Sequence, residues 1–145
     1  MARDFSEVYL YNFEDLKVGQ TASIARTVSE ADILAFAGVS GDTNPVHVDQ
    51  EFAAGTAFKG RIAHGILSVA YISTVLGTKL PGPGAIYLSQ TAKFKAPVHI
   101  GDTVVTRVTI TDLKPEKRRV TLSTISSVGD TEVTVGEAEI LLPKH

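Results

Sequence analysis

The chain has 145 residues, 43% of them apolar, and its 14 Lys and Arg against 16 Asp and Glu leave a formal net charge of -2. That supply of apolar side chains suffices for one domain spanning residues 1–145 without disulfides or a structural metal, and the charge balance argues against nucleic acid or an anionic membrane as the main partner. With no cysteine present, a thiol nucleophile, a Cys-x-x-Cys redox pair and a thiolate zinc site are all excluded.

Met1-Ala2-Arg3-Asp4 lacks the basic patch and apolar run of a secretory signal, so a cytoplasmic location is expected. From Tyr9 to Gly19 no element is assigned, although Phe13, Leu16 and Val18 suit an entry segment anchored on a core edge. Thr21 to Val28 reads as extended. Ser29, with Asp32 three residues on, forms the pattern of a capping box before Ile33, Leu34, Phe36, Ala37 and Val39, and predicts a helix from about Glu30 to about Val39. Gly38 and Gly41 bracket its end. The run Gly41-Asp42-Thr43-Asn44-Pro45 then forms a shaped loop, because Pro45 biases Asn44 away from helical angles.

Asp49 is placed to cap a short helical turn over Gln50 to Ala54. From Gly65 to Leu76 apolar residues cover most of a helical circumference, the pattern of a helix buried inside the fold. This richest segment is interrupted by Ser68, Ser73 and Thr74 and falls short of the about 20 apolar residues a membrane helix requires, so no membrane insertion is expected. After the Pro81-Gly82-Pro83-Gly84 stop, four strand candidates follow: Ala85 to Phe94, Asp102 to Asp112, Arg118 to Val128 and Thr131 to Ile140. The last two separators are short enough for hairpins, and no crossover helix fits between the strands, so the sheet is expected to be antiparallel. A helix-rich half followed by a meander packs economically as one curved sheet around the apolar helix, an α+β architecture. Lys117-Arg118-Arg119, beside a hairpin turn, reads as a solvated face in preference to a polyanion site.

Two places offer chemistry. In Asp42-Thr43-Asn44-Pro45-Val46-His47 a turn brings a carboxylate and an imidazole close enough to orient a water and move its proton, although His47 can equally serve a neighbouring carbonyl. His64-Gly65 directly precedes the apolar helix, where free N–H groups and the helix dipole favour negative charge developing on a bound carbonyl; the alternative is that Gly65 answers only to chain geometry. Asp42, His47, Asp49 and His64 offer oxygen and nitrogen ligands, but their spacings match no zinc signature, so no metal is expected. Ser40 and Ser68 lie in no Gly-x-Ser-x-Gly elbow, and Lys79 belongs to no phosphate loop.

The stretch from Phe36 to Asp49, with Gly41-Asp42-Thr43-Asn44-Pro45-Val46-His47 at its centre, resembles the hydratase motif of the MaoC-like family. Phe58-Lys59-Gly60-Arg61-Ile62-Ala63-His64-Gly65-Ile66-Leu67 resembles that family's continuation into its central helix. The likeness to the short (R)-specific enoyl-CoA hydratases runs on through Gly84 to Tyr87 and Phe94 to Asp102. It implies a hotdog fold, a homodimer, Asp42 and His47 as the catalytic pair, and Gly65 as a backbone donor to the thioester carbonyl. Asn44, His64 and Ser73 would belong to the active-site region. The implied reaction is reversible hydration of a trans-2-enoyl thioester to an (R)-3-hydroxyacyl thioester, with no cofactor beyond the coenzyme A carried by the substrate. An acyl carrier protein could replace coenzyme A in a related dehydratase, and a thioesterase or a noncatalytic acyl-thioester binder are the competing uses of such a fold. The apolar residues of the central helix serve equally as tunnel wall or core, and Tyr87 and Phe94 read as core aromatics.

Overall fold

Two 3-10 turns, Ser6–Val8 and Phe13–Asp15, open the computed structural model, which describes Met1–His145. Phe13 and Leu16 reach the core as expected of an anchored entry segment, whereas Val18, in the turn leading to Gly19, stays exposed. Strand β1 (Thr21–Thr27) leads to helix α1 (Glu30–Ser40). Its capping box is complete: the Asp32 N–H donates to Ser29 Oγ at 3.1 Å and the Ser29 N–H to Asp32 Oδ2 at 3.0 Å. Gly41 ends α1 at φ 78°, a left-handed angle that glycine adopts without a Cβ penalty. Helix α2 (Pro45–Val48) and helix α3 (Gln50–Ala54) are single turns, the latter capped by Asp49 Oδ1, which accepts from the Phe52 N–H at 3.0 Å.

Helix α4 (Gly65–Thr78) lies on a sheet whose strands β1, β4 (Thr103–Lys114), β5 (Arg119–Val128), β6 (Thr131–Leu141) and β2 (Ile86–Gln90) are neighbours in that order, all antiparallel. The two-residue β3 (Lys93–Phe94) also pairs with β6. Alternation decides which face is buried: Val104, Thr106, Val108 and Ile110 of β4 and Val120, Leu122, Thr124 and Ser126 of β5 all point inward. Helix α4 packs across β4, β1 and β5.

Three features depart from the sequence expectations. The strand expected over residues 85–94 is split at Thr91-Ala92, because the chain crosses Gly136 so closely that a Cβ there would stand 1.8 Å from the Thr91 carbonyl oxygen. Helix α4 is buried on one face only: Leu67, Ser68, Tyr71, Ile72, Val75 and Leu76 turn inward, while Ile66 and Ser73 are exposed, because the sheet covers one side of the helix. Arg118 is no solvated charge. Its Nη1 meets Glu14 Oε1 at 2.8 Å, its Nε donates to the Leu142 carbonyl at 2.9 Å, and the guanidinium lies over Phe13, so it clasps the entry segment to the end of the last strand.

The interior divides into two apolar clusters, one under the C-terminal half of α4 around Ile72, Leu76 and Leu122, the other under its N-terminal half around Leu67, Tyr71, Val28 and Val104. Buried hydroxyls run between them. Thr106 pairs with Ser126 at 2.8 Å, Ser126 faces Thr134 in register, and Thr134 pairs with Ser68 of α4 at 2.8 Å. Each hydroxyl finds a partner in this row, which is the condition for tolerating polar groups at this depth.

Candidate active site

The loop after α1 is held by its own short polar side chains. Ser40 Oγ donates to the Phe36 carbonyl at 2.6 Å and accepts from the Asp42 N–H at 3.1 Å; Asp42 Oδ1 accepts from the Asn44 N–H at 3.2 Å; Asn44 Oδ1 accepts from the Val46 N–H at 3.2 Å. Asn44 therefore caps α2, and Pro45 at its first position lacks the N–H that would otherwise need a partner. These bonds leave Asp42 exposed at the rim and turn His47 inward.

His47 is 8% exposed, and its Nδ1 lies 2.8 Å from the Ile62 carbonyl oxygen. A carbonyl only accepts, so Nδ1 carries the hydrogen and, in the neutral ring, Nε2 keeps its lone pair. His64 Nε2 lies 2.8 Å from the Asp42 carbonyl, which by the same reasoning places its hydrogen on Nε2. The remaining nitrogen of His64, Nδ1, is buried without a partner. The two imidazoles stack, with centroids 3.8 Å apart and planes 25° apart, and Phe36 tilts against His64 at 4.9 Å.

The Asp42 carboxylate and a ring nitrogen from each of His47 and His64 lie within 4.8 Å of one another. They are the groups placed to share a cation. Stacked rings, however, direct their in-plane lone pairs side by side where a tetrahedral metal needs them to converge. Asp49, the fourth ligand considered from sequence, instead caps α3.

Gly65 is the first residue of α4, where an N–H has no intrahelical acceptor, and no other group of the chain accepts from it. It opens onto a cavity of about 450 Å³ whose lining is mainly apolar and includes His47, His64, Leu67, Tyr71 and Phe94. Ser68 and Thr134 contribute a hydroxyl pair to the same wall. Phe94, expected in the core, is 51% exposed on the short β3 at the edge of the sheet. Its ring lies over Gly65, where an added Cβ would meet it at 2.9 Å. Burial, with Asp32 adding to it, pushes the Tyr71 pKa above the usual phenol value, although the Arg26 guanidinium nearby pulls the other way. Ser73 is not brought to this place: it is exposed, outside the cavity, and about 12 Å along the helix axis from Gly65 at 1.5 Å per residue.

Sequence reasoning thus paired Asp42 with His47 and placed His64 and Gly65 beside them, while Ile62, Arg61 and Phe36 went unassigned. Arg61-Ile62 lies inside the second motif, but nothing local signals that a carbonyl and a guanidinium there would grip His47. That contact spans 15 positions for the Ile62 carbonyl and 14 for the Arg61 side chain.

A family model described as "MaoC like domain" matches residues 14–135. An (R)-specific enoyl-CoA hydratase of Rhodospirillum rubrum is 57% identical over 137 residues, covering 94% of this chain and 95% of that protein. A 3-hydroxybutyryl-CoA dehydratase of Methylorubrum extorquens is 49% identical over 95% of this chain and 88% of its own length. The solved (R)-hydratase from A. caviae involved in PHA biosynthesis superposes with a TM-score of 0.87 at 43% identity, covering 90% of this chain and 99% of that one. The antiparallel sheet curved over one central helix is accordingly a hotdog fold. With most of its length matched both by the family model and by these relatives, the chain belongs to the MaoC-like family.

Proposed function

We propose that this protein is an (R)-specific enoyl-CoA hydratase, adding water reversibly across a trans-2-enoyl-CoA to give an (R)-3-hydroxyacyl-CoA. The observation that carries the reading is one juxtaposition. An imidazole with a free Nε2 and an unpartnered helix N–H line one apolar cavity, and the Asp42 carboxylate lies within 4.8 Å of a nitrogen of that imidazole. The names of the R. rubrum and A. caviae relatives support it.

Each part has a task in the addition. The thioester oxygen accepts from the Gly65 N–H at the N-terminus of α4, where the helix dipole also favours negative charge. Water sits between the Asp42 carboxylate and His47. One of the pair takes its proton as the oxygen bonds to C3; the C2–C3 π electrons shift to make an enolate, whose charge falls on the thioester oxygen. Return of a proton to C2 completes the product, and the reverse sequence expels water. Delivery of water from the side of Asp42 and His47 is what would fix the configuration at C3. Coenzyme A enters as part of the substrate, and no metal or redox cofactor takes part.

The acyl chain occupies the cavity beyond Gly65, against Leu67, Tyr71 and Val104. The active form is a homodimer, in keeping with Ile66 and Phe94, apolar residues that line the cavity and stay exposed in the single chain. The (R)-configured product suits supply to polyhydroxyalkanoate synthesis, the setting given for the A. caviae relative. No helix is long and apolar enough to cross a membrane.

The test is loss of the conjugated enoyl-thioester absorbance with crotonyl-CoA, followed by chiral analysis of the product. (R)-3-Hydroxybutyryl-CoA from the parent, with severe loss in folded Asp42→Asn and His47→Ala, is the expected result. No hydration across short and medium acyl-CoAs would overturn the assignment and direct the same assay to acyl-carrier-protein thioesters; free thiol as product would identify a thioesterase.

A further inference from the structure

Helix α2 is too short to satisfy its own carbonyls. Only the Pro45 carbonyl is taken nearby, by the Asp49 N–H at 2.9 Å; the Val46 carbonyl accepts from the Ile62 N–H at 3.2 Å and the His47 carbonyl from Arg61 Nε at 2.7 Å. The Ile62 carbonyl in turn takes the His47 Nδ1–H. Two adjoining residues therefore hold the backbone on either side of the imidazole and the ring itself.

Arg61 does more than fill this space. Its Nη1 donates to Glu30 Oε1 at 2.6 Å in the first turn of α1, and its backbone N–H to Gln50 Oε1 at 3.3 Å. Its side chain is 9% exposed, and Nη2 is buried with no partner. A buried guanidinium with an idle N–H is a costly filler, since a buried charge costs free energy unless it is paired and hydrogen-bonded. What an apolar chain cannot supply is a planar fork, Nε on one acceptor and Nη1 on another, which sets the His47 carbonyl at a fixed distance from α1.

We infer that Arg61 is a positioning residue that holds His47 in register for proton transfer by gripping its backbone carbonyl against α1. The inference rests on the hydratase reading above. Arg61 lines no part of the cavity, so its effect reaches the substrate only through His47.

The experiment compares Arg61→Met, Arg61→Lys and Glu30→Gln in the full chain, by crotonyl-CoA kinetics, thermal melting and NMR of 15N-histidine. Misplacing a reacting group by about 1 Å costs on the order of 10²-fold, so Arg61→Met should lose about 10- to 100-fold in kcat. KM should stay within about threefold, since the Gly65 N–H and the apolar wall of the cavity are untouched. Lysine reaches one acceptor at a time and should fall between; Glu30→Gln, which keeps the Nε contact, should lose least. The His47 ring nitrogens should shift in Arg61→Met, and its melting temperature should fall by the several degrees that a stranded carbonyl costs while the fold is kept. Parent kcat in folded Arg61→Met, or lost kcat with unmoved His47 resonances, would overturn the inference. If Arg61→Met does not fold, Arg61→Lys carries the same two readouts. Because the resonances are read without substrate, moved His47 signals in a parent that hydrates no thioester would uphold the positioning while refuting the hydratase reading.

Discussion

A methyl group added at Gly65 would stand 2.9 Å from Cδ1, 3.0 Å from Cε1 and 3.3 Å from Cγ of Phe94. Carbon atoms settle at about 3.5–4.0 Å, so Gly65→Ala requires the ring to retreat by roughly 0.6–1 Å. The ring is half exposed and on the two-residue β3, so it has room to swing and the fold should tolerate the change. Position 65 has no positive φ, and alanine is the better helix former. The two effects oppose, and net stability should move by less than about 1 kcal/mol, a melting shift of no more than about 4 °C in a domain of this size. Catalysis should suffer more, because the methyl group and the displaced ring crowd the approach to the N–H meant for the thioester oxygen. A displacement of that order predicts a 10- to 100-fold loss of kcat/KM on crotonyl-CoA, roughly 1.4–2.7 kcal/mol of transition-state stabilisation. The Gly65→Ala/Phe94→Ala double variant separates the causes: recovered activity assigns the loss to the ring, persistent loss to the methyl group itself. Parent kcat/KM in folded Gly65→Ala would refute the requirement for close approach at this N–H. A melting drop beyond about 10 °C would refute the freely moving ring.

His47→Gln should lower kcat by about 10²–10⁴-fold with the far-ultraviolet circular dichroism unchanged; a loss under tenfold would argue that His47 moves no proton. Asp42→Asn leaves a side-chain oxygen for the Asn44 N–H but removes the charge, so melting should stay near the parent's while kcat falls at least about 10²-fold; a lower melting point with intact kcat would make Asp42 a loop residue only. Ser68→Ala strands the buried Thr134 hydroxyl and should cost about 1–3 kcal/mol in urea unfolding, whereas Ser68→Ala/Thr134→Val, which removes both partners, should be closer to neutral. Equal losses in the two would deny the pair its role. Burial pushes the Tyr87 pKa from 10.0 up to about 12, so above pH 10 the unfolded chain gives up a proton that the folded one keeps. The stability this burial preserves is therefore complete below pH 10 and lost as pH rises toward 12, and Tyr87→Phe should flatten that part of the melting profile.

The locally determined parts of the molecule were legible in the sequence. Ser29 and Asp32 announced α1 because a capping box closes within four residues, and Asn44-Pro45 announced a stiff turn because proline restricts the residue before it. The alternation of β4 and β5 named the buried face. The proximity of Asp42 and His47 was legible for a similar reason, since the two sit on one short turn. The two readings open for His47 proved compatible: it does serve a carbonyl, and in doing so it leaves Nε2 free.

What stayed hidden depends on which surfaces meet. No local rule relates Thr91 to Gly136, Ser68 to Thr134, or Arg61 to His47 and Glu30, and the all-round apolar pattern of α4 could not reveal that one sheet would cover a single side. Arg118 looked like a solvent charge until the entry segment and the last strand closed around it. By itself the sequence determined the main helices and strands and the residues able to do chemistry, because torsional preference, capping and side-chain period act over a few neighbours. Only the tertiary structure decided which imidazole nitrogen is free, which arginine donates to the His47 carbonyl, and where the apolar cavity meets the helix N–H. Those depend on hydrogen-bond acceptors and packing partners that burial brings together from distant parts of the chain.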